Sequence, residues 1–468
     1  MNIKEISKWL KEMPQIEISN EKKPVEFLAK IIIERQLILF DDRTPYIHLK
    51  KYYQQISDDD ALAIIPNLVA ESDRMMLSSS QVSECYKRVR YVPQLQIAIS
   101  NRYNEGRNFL NLQNGVFDIR TQKIIQSDAK YYFNYILDFN YLSHQKLSDA
   151  PTFKKFIETS LGRENLDCML RSIAYCLSSL TKGRKAFLFI GHGKTGKSTL
   201  LNLIESAFNK KLVSHEPFHS MSSERSKAKY FGKRINISRD NSNVPMKHED
   251  SFKSLISCEE TTGRNLYENS IDFLPTLKFI FASNCDLNFA HPDDAVYDRL
   301  VVILFSKKIT DDIRNPELEE KLLKEKDSIF SLAIDTLKDL IESNYDFRMS
   351  DEAEEYLNHQ RMVLHSVEDF LDEKIILNPN SEISSVELNQ LYKRWCQAND
   401  LVPIGRNDFY KNIRNYDSSI KYCKVGCGDK RVNGFKGIRL KKRCHYNGVG
   451  NDADSKISKS NDTAERSK

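Results

Sequence analysis

The sequence predicts an α/β protein centred on a largely parallel β-sheet with helices on its faces. A mixed α+β region precedes this sheet and a small unit of two helices and two strands follows it. Three observations predict this. Four short runs, "KAFLFI" (185–190), "KRINIS" (233–238), "LKFIFAS" (277–283) and "RLVVILF" (299–305), are β-branched or aromatic and are followed by polar residues, the pattern of strands in a buried parallel sheet. Helical stretches separate the first two, as crossovers between parallel strands require. Between the first run and a helical stretch stands "GHGKTGKST" (191–199), rich in glycine and hydroxyls.

The bulk properties bound the protein further. Its 468 residues suffice for two to four domains with their own cores. Hydrophobic residues make up 40% and charged residues 29%, and no apolar run approaches the length of a bilayer span. The opening "MNIKEISKWLKEMP" is charged throughout, without the apolar centre of a secretory signal. Nine cysteines without a repeating spacing read as reduced thiols of a cytoplasm. The net charge of +5 is modest, but Ser385 to Cys444 holds 14 Lys or Arg against 5 Asp or Glu. That asymmetry calls for an anionic partner or a solvated basic face.

In chain order, residues 1–145 form the expected α+β domain. In it "RQLILFDDRTPYIHLKKYY" reads as two strands about a polar turn, and "FLNLQNGVFDIRTQKII" as a hairpin with a Thr-Gln turn. "SHQKLSDAP" (143–151) reads as a linker. Helical spacing from Thr152 to Leu180 places Phe153, Phe156, Ile157, Leu161, Met169, Ile173 and Ala174 on buried faces, a helical collar over 150–182. The sheet occupies 183–310. "PELEEKLLKEKDSIFSLAIDTLKDLI" and a stretch at about 351–373 read as amphipathic helices, within a helical segment spanning 311–373. A basic unit spans 376–444, and 445–468, without apolar content, reads as a disordered tail.

Gly191, Gly196, Lys197 and Ser198 fit G-x-x-x-x-G-K-[ST], with the strand before and the helix after that this motif demands. The alternative is a glycine-rich turn with chance matches. The chemistry follows from residue type. Glycines let backbone N–H groups surround phosphate oxygens, and the helix adds its dipole. Lys197 would neutralise the β- and γ-phosphates and Ser198 would offer a hydroxyl to Mg²⁺. The loop as a whole, Gly191, His192, Gly193, Lys194, Thr195, Gly196, Lys197, Ser198 and Thr199, is the expected ATP-binding stretch. Later strands supply further candidates: Asp240 for Mg²⁺ or its water, Asn284 to sense the γ-phosphate, and Arg299 as an arginine finger toward a neighbouring subunit.

From about 150 to 370 the chain resembles the superfamily III helicases of phages, plasmids and other mobile elements, the phage/plasmid primase C-terminal family. "FLFIGHGKTGKST", "GKRINISRD", "FKSLISCEETTGRNLYEN", "LKFIFASN", "DAVYDRLVVILF" and "LEEKLLKEKDSIFSLAI" carry the resemblance, in the family's order. "LQNGVFDI" is similar to the domain preceding the helicase. Within the family the likeness points toward the replication initiator–helicases of staphylococcal pathogenicity islands. The resemblance implies an AAA+-like P-loop ATPase core with helical flanks. It gives Asp240 the Walker B role, Asn284 the sensor role and Arg299 the finger role, and makes Lys253 a basic residue that senses the neighbour's nucleotide. It also makes "RNLYEN", with Arg264, Tyr267 and Asn269, a hairpin that grips single-stranded DNA. A plain surface turn is the alternative there, and Glu268 would repel phosphate. One departure stands out: Arg239 precedes Asp240 where many such ATPases carry a pair of acids, so the catalytic base is open, with Glu259 and Glu260 as the acids nearby.

The basic unit has helical spacing at Leu388, Leu391, Tyr392 and Trp395, and again at Phe409, Ile413 and Tyr416. Two strands, "IKYCKV" and "FKGIRLKKR", follow. Helix, helix and β-wing is the winged-helix arrangement, with Arg406, Lys411, Arg414, Lys436, Arg439, Lys441 and Lys442 as DNA contacts. Cys423, Cys427, Cys444 and His445 are poorly spaced for zinc, and the cysteines read as thiols of the core or surface. The expectation is therefore an ATP- and Mg²⁺-dependent DNA helicase, a cytoplasmic homo-hexamer on single-stranded DNA that also touches duplex as a replication initiator. A separate primase and host replication proteins are further expected partners, and no membrane. The alternative is an ATP-switched origin-binding protein that melts or marks DNA without unwinding it.

Overall fold

The computed structural model describes residues 14–41, 43–97, 108–239, 248–266, 269–284, 292–309, 315–426 and 431–441, with isolated residues at 6, 10, 244, 246 and 289. The expected tail at 445–468 lies outside them. The chain separates into two compact units, Met1–Arg361 and Met362–Lys468.

The first unit opens with α1 (Pro24–Glu34), β1 (Ile38–Asp41), β2 (Thr44–Leu49), β3 (Tyr52–Gln55), α2 (Asp58–Ile64) and α3 (Ser79–Arg90). Sequence reading expected two strands over 35–53. Three form, because Lys50 turns the chain at φ +52° and sends "YYQQ" back along β2. Next come β4 (Phe109–Leu112), β5 (Gly115–Asp118) and β6 (Lys123–Ile125), an antiparallel meander in place of a single hairpin. The Thr-Gln turn joins its last two strands, with Gln122 at φ +55°.

Buried side chains divide the expected 1–145 domain. Those up to Ile97 form their own cluster. Leu110, Val116, Phe117 and Phe139 instead join a cluster that continues through the central sheet to Phe347. The stretch leading into the expected linker is fastened to that larger core: Asn140 Nδ2 donates to Asp327 at 2.9 Å and Leu142 N–H to Ser331 Oγ at 2.9 Å.

The central part runs α4 (Pro151–Ser160), α5 (Leu166–Leu177), β7 (Ala186–Ile190), α6 (Lys197–Glu205), β8 (Val213–Ser214), α7 (Glu224–Tyr230), β9 (Ile235–Ser238) and α8 (Glu249–Ile256). It continues with a two-stranded hairpin, β10 (Thr261–Gly263) and β11 (Ile271–Phe273), then β12 (Lys278–Ser283), α9 (Asp294–Tyr297) and β13 (Leu300–Leu304). Helices α10 (Leu318–Lys324), α11 (Lys326–Asp335) and α12 (Leu337–Glu342) follow. Five parallel strands stand in the order β13-β7-β12-β9-β8. All of β9 and β12 is buried, as is β7 but for its last residue, which is why these segments are rich in apolar residues, with Asn236, Ser238, Lys278 and Ser283 the buried polar exceptions. The chain leaves β7 for the far edge, returns strand by strand to β12, and then crosses to β13 on the other side of β7. That reversal makes the carboxyl ends of β7 and β12 the point where loops part and a ligand can enter.

The second unit takes in the last part of α13 (Asp351–Lys374), then β14 (Ile375–Ser384), α14 (Ser385–Ala398), α15 (Arg406–Tyr416), β15 (Lys421–Val425) and β16 (Val432–Leu440). The strands pair antiparallel in the order β14-β16-β15. Its core sets Phe370 and Leu371 of α13 against Tyr392 and Phe409, whose rings stack at 4.3 Å. Sequence reading began this unit at 376. The structure adds the end of α13, because Val367, Phe370 and Leu371 have their apolar partners there.

Candidate functional site

The loop after β7 turns directly into α6. Gly191 sits so close to Phe305 that a Cβ would lie 2.4 Å from its carbonyl oxygen, and Gly196 takes φ +96° with a Cβ position 2.8 Å from the Phe156 ring. Both positions therefore require glycine. Neighbouring segments brace the loop: Gly191 N–H donates to Ser283 O at 3.2 Å and Ile309 N–H to Lys194 O at 2.9 Å.

Lys197, the first residue of α6, is only 9% exposed. Its ammonium donates to the carbonyls of Gly191 and His192, the latter at 2.8 Å, and to Asn284 Oδ1 at 3.0 Å. Thr195 Oγ1 donates to His192 O at 2.9 Å. Asn284 follows β12, whose Ser283 pairs with Ile190, so the two strands end level and their exits meet. The structure thus brings Lys197 and Asn284 together, with Ser198 exposed beside them. Asp240 and the neighbouring Asn241 lie outside the described residues. Their predecessor Arg239 pairs with Glu205 and donates to Asn202 Oδ1 at 2.6 Å.

Arg299 is elsewhere. Leu300 pairs with Ala186 and Leu304 with Ile190, so Arg299 stands at the amino end of the sheet and the loop at its carboxyl end. Five residues of strand separate them, about 17 Å, so Arg299 is out of reach of its own chain's loop. Its guanidinium donates to Ser257 Oγ at 3.1 Å and Ala295 O at 2.6 Å. Lys253 shares this patch, paired with Asp293 at 2.8 Å and Asp250 at 2.9 Å. The hydrogen bond to Asp293 leads in holding the Lys253 ammonium above its ordinary range. Burial pulls the Asp293 carboxyl upward, but bonds from Lys253 and the Val296 N–H outweigh it and hold it below the usual carboxylate range.

The β10–β11 hairpin presses on α7: a Cβ at Gly263 would lie 2.4 Å from the Ala228 nitrogen. Arg264 pairs with Glu224 at 3.3 Å, both well exposed, a contact worth little. Asn269 is exposed. Tyr267 and Glu268 lie outside the described residues.

In the second unit Arg406, Lys411 and Arg414 are exposed along α15 while Phe409 and Ile413 are buried. Lys436 is exposed and faces exposed Lys421 across the β15–β16 pair. Sequence reading missed Lys421 and Lys424. The signal was there: apart from Val425, every residue of β15 is polar, thiol or aromatic, and exposed. Arg439 is half-buried. Lys441 turns back, donating to the Asp372 carbonyl near the end of α13, a helix-end contact that competes with phosphate. Lys442, Cys427, Cys444 and His445 lie outside the described residues. Cys423 is an exposed free thiol. Among the described residues no helix is long and apolar enough to cross a membrane.

Residues 47–162 match the family described as D5 N terminal like. Residues 189–299, from the end of β7 to Arg299, match a family of unknown function, DUF5906. No curated protein matches the chain. Among solved structures, the apo form of the NrS-1 C-terminal region has a TM-score of 0.52 at 13% identity, covering 89% of this chain and 100% of that one. An A-form apo structure of the same region has a TM-score of 0.49 at 12% identity, covering 88% and 98%. At 13% identity the first likeness is one of fold, and it extends over most of both chains.

Proposed function

We propose that this chain is an ATP-dependent DNA helicase of a phage or similar mobile element, cytoplasmic, working as a homo-hexameric ring in DNA replication. The observation that carries the reading is the meeting of Lys197 and Asn284 over a glycine-cornered loop, where two parallel strands end level. The match to the D5 N terminal like family and the fold shared with the NrS-1 C-terminal region support it.

In this reading the loop N–H groups and Lys197 hold the β- and γ-phosphates of ATP. Lys197 exchanges its carbonyl partners for phosphate oxygens, and Asn284 stays beside the γ-phosphate to orient attacking water. Ser198 and Asp240 would hold Mg²⁺, which draws charge from the phosphates when bound. The exposed Ser198 hydroxyl on the first turn of α6 fits an ion that needs only one or two protein oxygens. Arg299 stabilises the transition-state charge at the neighbour's site, and Lys253 on the same patch faces that nucleotide too. The hairpin with Arg264, Tyr267 and Asn269 contacts single-stranded DNA. The second unit, read as a winged helix, contacts duplex through α15 and its wing. A separate primase and host replication proteins complete the set of partners.

Unwinding of a forked duplex tests this. ATP should drive strand separation, and the unhydrolysable analogue should not. ATP-dependent melting of an origin without separation of a forked duplex would favour an origin-binding switch instead.

A further inference from the structure

Strand β15 is the outer strand of the second unit's sheet. Side chains alternate along it, so Tyr422 and Lys424 share one face with Phe435 and Asn433, their partners on β16. Phe435 is buried, and its ring lies 5.5 Å edge-on from that of Tyr410 on α15, so this is the face that meets α15. Tyr422 rests on both rings, at 5.1 Å from Phe435 and 5.7 Å from Tyr410. Tyr410 is itself fixed, its hydroxyl donating to Ser385 O at 3.0 Å. Tyr422 nevertheless stays 40% exposed, a ring held from beneath and open to solvent.

The charge nearest this ring is positive. Lys424 and Asn433 are exposed on its own face, and Lys411 and Arg414 are exposed on α15, Arg414 one helical turn from Tyr410. None of these cations pairs with a carboxylate among the described residues. Of the described acids between Arg406 and Lys436, Asp408 sits in the first turn of α15 and Asp417 accepts the Ser419 N–H at 2.8 Å. An exposed aromatic ring among cations suits an unpaired nucleotide: the ring stacks on the base and the cations neutralise the flanking phosphates. A base within a duplex already stacks on its neighbours and is out of reach.

We propose that Tyr422, with Lys424 and Asn433 beside it, is a stacking site for an unpaired DNA base, so that the second unit engages the junction where duplex gives way to single strand. The inference rests on the DNA reading of this unit above. The base lies on the open side of the Tyr422 ring, Asn433 offers its amide to the base edge, and Lys424 and Arg414 neutralise the phosphates. Every base has a π-face, so the site marks an opening in the duplex rather than a sequence. Lys421 and Lys436, on the opposite face of the strand pair, remain for duplex phosphates.

The test uses the full chain and three fluorescent probes: a blunt duplex, the same duplex with a short thymidine overhang, and the same duplex with an abasic overhang. The overhangs are too short to run through a ring and are made in either polarity. Wild type should bind the thymidine overhang of one polarity about tenfold more tightly than its abasic counterpart, the scale of one base stacked on an aromatic ring. Tyr422→Leu should lose that difference while keeping wild-type affinity for the blunt and abasic probes, and Tyr422→Trp should retain it. Lys424→Ala should weaken both overhangs alike and spare the blunt duplex. Tyr422→Leu that weakens all three probes together would make the ring a structural prop and overturn the inference. If Tyr422→Leu does not fold, photocrosslinking of wild type to an iododeoxyuridine overhang decides it: the crosslink should map to Tyr422, and a crosslink elsewhere overturns the proposal. Wild type that binds thymidine and abasic overhangs equally overturns this inference alone. Wild type that binds none of the probes overturns the DNA reading of the unit with it.

Discussion

The ammonium of Lys197 donates to the amide oxygen of Asn284 at 3.0 Å, across 87 residues of sequence. The motif alone suggests an open, solvent-facing lysine. Instead it is enclosed, and its further partners include the loop's own carbonyls at Gly191 and His192. In the proposed reading ATP exchanges the carbonyl partners while Asn284 keeps its place.

Lys197→Ala should lower ATP hydrolysis by about 10²-fold or more, the scale for removing a charge aimed at transition-state oxygens. It should also cost about 1–3 kcal/mol of stability, because partly buried hydrogen bonds from a charged donor are lost. Steady-state ATPase and thermal melting check both. Asn284→Ala should bind ATP within a few-fold of wild type and hydrolyse it far more slowly. ATPase retained in pure Lys197→Ala protein would remove the nucleotide assignment.

Arg299→Ala should bind ATP well and hydrolyse it poorly. The sheet separates Arg299 from its own loop, so mixing Arg299→Ala with Lys197→Ala subunits should restore part of the activity. Intact loops then meet intact arginines across junctions. No rescue at any mixing ratio would exclude action between subunits.

Removing the chain from Met362 onward should spare basal ATPase and weaken duplex binding. A cut at 376 should behave worse, because it leaves Val367, Phe370 and Leu371 without the core that covers them. Light scattering and duplex titration of the two truncations distinguish them. Unchanged duplex affinity in the shorter protein would contradict a DNA role for this unit.

Duplex affinity should fall linearly with the logarithm of salt, with a slope near −0.9 per phosphate contacted. Lys421 and Lys436, directly opposed and exposed, repel one another in the free protein. Replacing both with alanine should flatten the slope by about two units and weaken all sequences alike. Lys441→Ala should change it less, because its ammonium is held by the Asp372 carbonyl. Arg406→Ala or Arg414→Ala should shift sequence preference if α15 enters a groove.

Thiol reagents should separate the cysteines. Burial pushes the thiols of Cys85 and Cys168 up to about 12, so neither forms thiolate near neutral pH. Cys423 is exposed. Peptide mapping after brief labelling at pH 8 should find Cys423 modified and Cys85 and Cys168 protected until the protein unfolds. Early labelling of Cys168 would contradict the core around α5.

The local elements were legible in the residues, because their causes are local. Strands buried on both faces are mostly apolar, so β7, β9, β12 and β13 announce themselves even with Asn236 and Lys278 among their buried residues. Helices α4 and α5 show in the spacing of Phe153, Phe156, Ile157, Met169 and Ile173, all of them buried. The strained corner at Gly196 admits glycine and little else. Two readings fell short for equally local reasons: the turn at Lys50 has no glycine, proline, asparagine or aspartate to mark it, and β15 carries its charges on an exposed strand.

What the sequence determined by itself is therefore the inventory: strands, helices, a glycine-cornered loop ending in Lys197 and Ser198, and a basic terminal unit. The tertiary structure alone decided the arrangement. Strand order follows from which faces can be buried together and from the crossovers between strands, and no short window of residues records either. That order brings Asn284 to Lys197 and sends Arg299 to the opposite end of the sheet. It also joins β4–β6 to the central core rather than to the first residues, and gives Arg239 partners on α6. Each of these relations is a contact between segments far apart in the chain, where packing chooses the partner.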